Sequence, residues 1–408
     1  MSSWKQRIFW VAAAIAVTAV VVGCGSSSGS ESASSGGGGG GGEESSSGPI
    51  VIGMSASETG PYAVDGILSL RGVEAAVQQA NENGGWMGRE LELKVIDDGS
   101  DASKAQQAYQ KLITQENVDF IIGPYAPDLA AAAGAVATRY EYVMLDPETA
   151  LPIVSGSKWA IMDEPGADHN MDGFPSVVQE AGYKSLAVLG VNNAYGEACM
   201  EGIEKEAEEV GLKVAYSSSY SEETDFNSTI EAVKGSGAET LASCSFFSDG
   251  VSVTRALSQV GYTPKVFGLT IAPSEKKYAS SVGNLANLVI SNTSWDSSFK
   301  TEGNPEFIKT YEKMFSEAPD YHAANNYAAV QALGDAVEKA KSTEQQKVLD
   351  TLYGNTFQTV LGEFKIDESE AISTGYKEYL YQNQNGTAKL IYPKEVAQAK
   401  VITPYTGH

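Results

Sequence analysis

The chain has 408 residues, with 28 Lys+Arg against 52 Asp+Glu and a net charge of −24. That acidic excess excludes a nucleic-acid footprint, which needs cations to displace counterions. Three histidines and three scattered cysteines are too few for a structural zinc site or a disulfide scaffold, so neither a metal nor a cofactor is expected.

Residues 1–7 carry Lys5 and Arg7, and residues 8–22 (IFWVAAAIAVTAVVV) are apolar apart from Thr18. The apolar run falls short of the roughly 20 residues that span a bilayer and suits a signal peptide. It ends Val21-Val22-Gly23-Cys24, which resembles a bacterial lipobox. On that reading residues 1–23 are a signal peptide and Cys24 carries a lipid; the other reading is an uncleaved anchor with an incidental cysteine. Residues 25–48 contain ten Gly and ten Ser, so residues 24–48 are read as a flexible tether spanning about 25–30 Å. Losing residues 1–23 removes two bases and no acid, which takes the charge from −24 to −26. Anionic lipids would repel such a body, so the anchor has to hold it at the membrane.

The remaining body alternates strand and helix. Strands are predicted at 50–54, 91–96, 118–122 and 142–145, with helices at 68–83, 101–116 (Asp101 as N-cap) and 128–140 between them. The rhythm restarts with strands 185–190, 212–216, 239–247 and 265–269 and helices 195–210, 225–233 (capped by Asp225) and 250–260. Three helices follow at 304–316, 321–340 and 343–353. A segment 360–366 and a hairpin over 377–392, turning at Asn385-Gly386, come last. Strands alternating with 12–16-residue helices imply βαβ units and mainly parallel sheets. The expected fold is α/β with two Rossmann-like lobes, their ligand cleft beyond the carboxyl ends of the strands.

Six stretches in order carry a family resemblance. They are Glu58-Thr59-Gly60-Pro61-Tyr62, Asn83-Gly84-Gly85-Trp86-Met87-Gly88, Asp97-Asp98, Ile122-Gly123-Pro124-Tyr125, Tyr195-Gly196-Glu197 and Glu223-Thr224-Asp225-Phe226. Over residues 50–395 the chain resembles type I periplasmic binding proteins, in the branched-chain amino-acid (Leu/Ile/Val) receptor branch of ABC importers. The resemblance implies two lobes joined by three crossovers, mapped near 160–170, 290–297 and 362–370. The N-terminal lobe is then 49–165 plus 292–365, and the C-terminal lobe 166–291 plus 366–408. It implies a monomeric, exported, lipid-anchored receptor that hands a small solute to ABC permeases.

The resemblance also implies contacts. Tyr62 could lay its ring on a ligand or pack on its own lobe. The loop of Tyr125, Ala126, Pro127 and Asp128 usually carries serines where Ala126 and Pro127 stand, which leaves backbone donors near Asp128 and Leu129; Asp128 could equally be the helix cap. In the loop Asp146–Ala150, Thr149 could donate to a ligand, while Glu148 could bind a cation or be a solvated acid. Tyr195 falls where the family places a ring on the ligand, and Phe246 or Phe247 would form a wall. Thr270 stands where amino-acid receptors use an acid to hold the ammonium. Either Glu148, Asp146 or Asp249 replaces that acid, or the solute is not an α-amino acid. Cys199 and Cys244 could form a disulfide or stay separate thiols.

An enzyme is disfavoured. His169, His322 and His408 lie near no serine elbow of the globular body, and the chain contains no phosphate-binding G-x-x-x-x-G-K-[ST]. A sensor signalling to a separate membrane partner is the alternative of the same fold, as is a receptor for an amide, urea or aromatic acid. The chain shows no second apolar run before His408, which favours delivery to an importer.

Overall fold

The computed structural model describes residues 48–407, apart from 150–152, 155, 222–224 and 370. The expected signal peptide, Cys24, the expected tether to residue 47, Ala150, Glu223, Thr224 and His408 lie outside the described residues.

Apolar runs bounded by Gly, Pro and Asp form two seven-stranded sheets. The first is centred on Ile50–Ala56, which pairs in parallel with Leu91–Asp97 on one side and Phe120–Ile122 on the other; Ile52 faces both Leu93 and Phe120. Met144–Asp146, Ala160–Met162, Ile372–Ser373 and Ile366–Asp367 continue it, only the last pairing being antiparallel. The second repeats the plan around Ser185–Val191, flanked by Lys213–Tyr220 and Thr240–Cys244. Phe267–Leu269 and Ile290–Thr293 follow, then the antiparallel hairpin Tyr379–Gln384 and Thr387–Tyr392. Ile50, Ile52, Phe120 and Ile122 are fully buried, as are Leu186, Val188 and Leu241. Sheets covered on both faces read as continuous apolar runs, as these do.

The chain crosses between the sheets after Met162, after Thr293 and before Tyr379. The third crossing is later than the 362–370 expected. Ile366–Asp367 and Ile372–Ser373 still pair within the first sheet, so residues 366–373 pack with the N-terminal strands. Two-residue strands carry too little periodicity to be read from sequence.

Local signals placed most helices well. Asp101 accepts from the Lys104 backbone, Asp225 from Asn227 and Asp320 from Ala323. Asn385 and Gly386 turn the hairpin with positive φ. Several boundaries moved, among them the end of the strand expected at 212–216, which runs on to Tyr220. The first helix runs Ala63–Glu82, beginning earlier than 68, and the expected strand 239–247 ends at Cys244, after which Phe247 opens the helix to Val260. Strands 160–162 and 290–293 fall within the crossovers that the resemblance implied near 160–170 and 290–297, whereas the helix Phe174–Glu180 had no sequence forecast.

Helix Ala63–Glu82 packs on helix Tyr321–Ala340 through Gly72, where a Cβ would lie 2.3 Å from the Ala323 carbonyl oxygen. This close approach sets the position of the polar residues described next.

A candidate solute site between the two lobes

In both sheets the strand order reverses beside the first strand of the unit, between 50–56 and 120–122 and between 185–191 and 240–244. Open α/β sheets bind ligands beyond the carboxyl ends of strands at such switch points. The strand-end loops here face one another. They enclose a cavity of about 30 Å³ lined by Tyr125, Ala126, Glu148, Glu164, Tyr195 and Phe246, together with Asn292, Tyr321, His322 and Glu378. A second cavity of about 230 Å³, bordered by Tyr62, Asp65, Phe246 and Asp249, shares Phe246 with the first.

The first loop is pinned from beneath. Asp97 accepts from the backbone of Glu58 and Thr59, while Asp98 accepts from the hydroxyls of Ser55 and Ser57. Gly60 sits at φ +90°, and a Cβ there would lie 2.5 Å from the Ser100 hydroxyl. The Asp97-Asp98 pair thus holds the loop that presents Tyr62.

Rings from both lobes meet across the cleft. The Tyr62 centroid lies 5.8 Å from Tyr125 and 6.0 Å from Phe246, and Tyr195 stacks on Phe246 at 5.0 Å. Tyr62 therefore reaches across to the second lobe and does not pack on its own lobe alone.

Glu148 is 6% exposed, which overturns its reading as a solvated acid. Its carboxylate accepts from Ser69 Oγ at 2.8 Å, from His322 Nδ1 at 2.8 Å and from Asn326. His322, Asn325 and Asn326 project from the first turn and a half of a helix that is buried almost throughout. Asp65 and Ser69 face them from the first helix, about two turns and one turn from Gly72. His322 Nε2 lies 3.9 Å from Asp65 Oδ1 and 3.6 Å from Glu275 Oε1. These three atoms fall within 4.8 Å of one another and make no hydrogen bond. Tetrahedral zinc brings its ligand atoms to about 3.3 Å of each other, so the spacing suits an imidazolium shared among carboxylates better than a zinc ion. Burial alone would lower the His322 pKa; Glu148, Asp320 and Asp65 outweigh it and hold it well above the ordinary value. Burial, with neighbouring acids adding to it, raises Asp65 to about 6 and Glu275 to about 9.

The crossings contribute two further acids to the cavity wall, Glu164 and Glu378. Asn325 donates to Glu164 at 3.4 Å and Asn292 to Glu378 at 3.1 Å. Enclosure pushes Glu164 well above the carboxylate range and Glu378 up to about 8.

Several forecast residues have other places. Asp128 is exposed in the first turn of helix Pro127–Tyr140, whose N-cap is Ala126 at φ 78°, so Asp128 is not the cap. Thr270 is fully buried; its hydroxyl accepts from the Ser245 backbone and donates to the Ser245 carbonyl, clear of the cavity wall. Thr149 is 1% exposed and does not line the cavity. Asp146 is buried beneath the site, accepting from the Glu148 backbone. Asp249 borders the second cavity and accepts from Tyr220 at 2.6 Å. Cys199 and Cys244 form a disulfide that ties helix Ala194–Glu209 to the end of strand Thr240–Cys244.

Sequence reasoning missed Asp65, Glu164, Glu275, His322 and Glu378. A signal existed for His322: polar residues at i, i+3 and i+4 on an otherwise apolar helix mark a buried polar face. The crossing acids carried none, because they lie outside regular elements.

Comparison with known proteins agrees with this architecture. The sequence profile described as "Periplasmic binding protein" matches residues 49–382. The leucine-, isoleucine-, valine-, threonine- and alanine-binding protein of Pseudomonas aeruginosa is 24% identical over 328 residues, 78% of this chain and 86% of the relative. A Leu/Ile/Val-binding protein homologue of Brucella suis is 26% identical over 381 residues, covering 88% and 95%. Among solved structures, the branched-chain amino-acid transporter substrate-binding protein of Streptococcus pneumoniae, in complex with isoleucine, superposes with a TM-score of 0.74 at 18% identity, covering 87% of this chain and all of that one. An ABC-transporter solute-binding protein of Rhodopseudomonas palustris holding 3,4-dihydroxybenzoic acid gives 0.71 at 16%, covering 82% and 93%. With two α/β lobes, three crossings and a cleft at both switch points, the chain belongs to the periplasmic binding protein family.

Proposed function

We propose that this protein is the solute-binding receptor of an ABC importer, taking an amino acid or a related small polar solute by closure of its two lobes. The observation that carries the reading is the buried cleft, whose polar and aromatic walls come from strand ends of both sheets. Only the three crossings join those sheets in the chain, so hinged closure around a solute is the matching motion. The relatives' ligands support a small organic solute.

Tyr62, Tyr125, Tyr195, Phe246 and Glu148 are the proposed contacts, with Ala126 offering backbone only. Thr270, Thr149 and Asp128 act at most through their neighbours. The lobes are proposed as 49–162 plus 294–373, and 166–292 plus 379–407. Export fits the Cys199–Cys244 disulfide, with Cys24 as the lipidated residue of a monomer. No described helix is long and apolar enough to cross a membrane. A thermal-shift screen over amino acids, amides, urea and aromatic acids tests the reading, since a solute selective for the folded state raises the midpoint. A hit must also contract the particle in small-angle scattering; a full screen with no shift would reject the receptor reading.

A further inference from the structure

We infer that the solute is a small organic cation without a carboxylate, its charged nitrogen seated against Glu164 and Glu378 and its body between aromatic rings. The inference rests on the reading of the cleft as a solute site and narrows that reading.

Charge is the first argument. The cavity wall holds Glu148, Glu164 and Glu378 against one basic residue, His322; no Lys or Arg lines it among the described residues. His322 is committed to Glu148 at 2.8 Å. That leaves Glu164 and Glu378, whose bonds come from the neutral amides of Asn325 and Asn292. Two half-buried carboxyls on the cavity wall without a cation favour a ligand that brings one. The second cavity adds Asp65 and Asp249, again with no base on its wall.

Missing anion receptors are the second. The start of helix Pro127–Tyr140 is the natural seat for a carboxylate, but Ala126 and Pro127 offer no hydroxyl and Pro127 no N–H. An amino acid's carboxylate would have only the backbone N–H groups near Asp128 and Leu129, and no cation beyond the His322 already paired with Glu148, against the cleft acids.

The rings are the third. Tyr195 and Phe246 stack, with Tyr125 and Tyr321 also on the wall. The orphan hydroxyl of Tyr125, on a residue 3% exposed, can accept from an ammonium, and the ring faces attract a cation.

The test uses matched ligands on the folded receptor. Calorimetry compares leucine with isopentylamine, which lacks the carboxylate, and 4-methylpentanoate, which lacks the ammonium. Tyrosine, tyramine and 3-(4-hydroxyphenyl)propionate form a second triplet, and putrescine tests a diamine. At least one amine should bind ten-fold or more tightly than its amino-acid parent, and neither acid should bind. E164Q and E378Q should each weaken that amine at least ten-fold without lowering the unliganded Tm. Leucine or tyrosine binding more tightly than its amine would overturn the cation inference and leave the receptor reading intact, as would binding confined to amides or acids. Silence of every ligand in this set and in the broad screen would overturn both.

Discussion

His322 Nδ1 and Glu148 Oε2 lie 2.8 Å apart, both residues almost wholly buried and 174 positions apart in the chain. The pair joins the loop after strand Met144–Asp146 to the start of helix Tyr321–Ala340. Removing one partner of a buried ion pair leaves the other charge uncompensated, at a cost of about 3–5 kcal/mol. H322A should therefore lose about that much stability in urea unfolding. E148Q, which keeps an acceptor for Ser69, should lose less. A change below about 0.5 kcal/mol for H322A would show that the pair contributes nothing net.

The crossing acid Glu378 makes stability fall as pH rises. Burial raises its carboxyl from 4.5 to about 8, with Asp172 adding to it and Asn292 opposing; burial also pushes Glu164 up, with Glu148, Glu378 and Asp146 adding and His322 opposing. The folded state then holds a proton that the unfolded chain releases above pH 4.5, so stability is lost as pH climbs from about 4.5 to about 8. The unliganded Tm should be higher at pH 5.5 than at pH 8 by on the order of 5 °C, and E378Q should flatten the profile. A Tm that rises with pH over this range would contradict the assignment.

Gly72 fixes the distance between two helices. A Cβ there would fall 2.3 Å from the Ala323 carbonyl, backbone that cannot rotate away. G72A should cost about 1–3 kcal/mol as overpacking. It should also weaken solute binding, because Asp65 and Ser69 share its helix face. Unchanged unfolding with wild-type affinity would show that the helices separate freely.

The Cys199–Cys244 bond closes a loop with a sequence separation of 45. Closing such a loop restricts the unfolded chain by up to about 4 kcal/mol. C199S or reduction should lower the Tm, and intact mass should rise by two hydrogen atoms when a reductant supplies two electrons and two protons to the bond. A Tm insensitive to reductant would count against any stabilising role.

Thr270 supports the wall from behind. T270V deprives the Ser245 backbone N–H of its acceptor, at about 1–3 kcal/mol, whereas T270S keeps the hydroxyl and should stay near wild type in thermal unfolding. A T270V protein as stable as wild type would show that this hydrogen bond contributes nothing net.

The α/β rhythm, the helix caps at Asp101 and Asp225, the Asn385-Gly386 hairpin and the cleft at the strand ends were legible because each depends on residues close in sequence. Tyr62, Tyr125, Tyr195 and Phe246 were placed near the cleft for the same reason: a loop after a strand is a local feature. Asp65 was read as loop because its helix starts five residues before the apolar periodicity does. Glu148 stayed open between a cation ligand and a solvated acid because nothing local distinguishes a buried acid from an exposed one.

The sequence alone thus determined the two-lobed architecture, an acidic body after an apolar N-terminal run and a Gly/Ser-rich stretch, and the absence of serines where an anion would dock. Tertiary structure decided the electrostatics of the cleft. The Glu148–His322 pair, the Asp65–Glu275–His322 cluster across both lobes and the crossing acids Glu164 and Glu378 are each assembled from segments distant in the chain. Desolvation and Coulomb interactions depend on distance and burial in space, which local patterning does not encode.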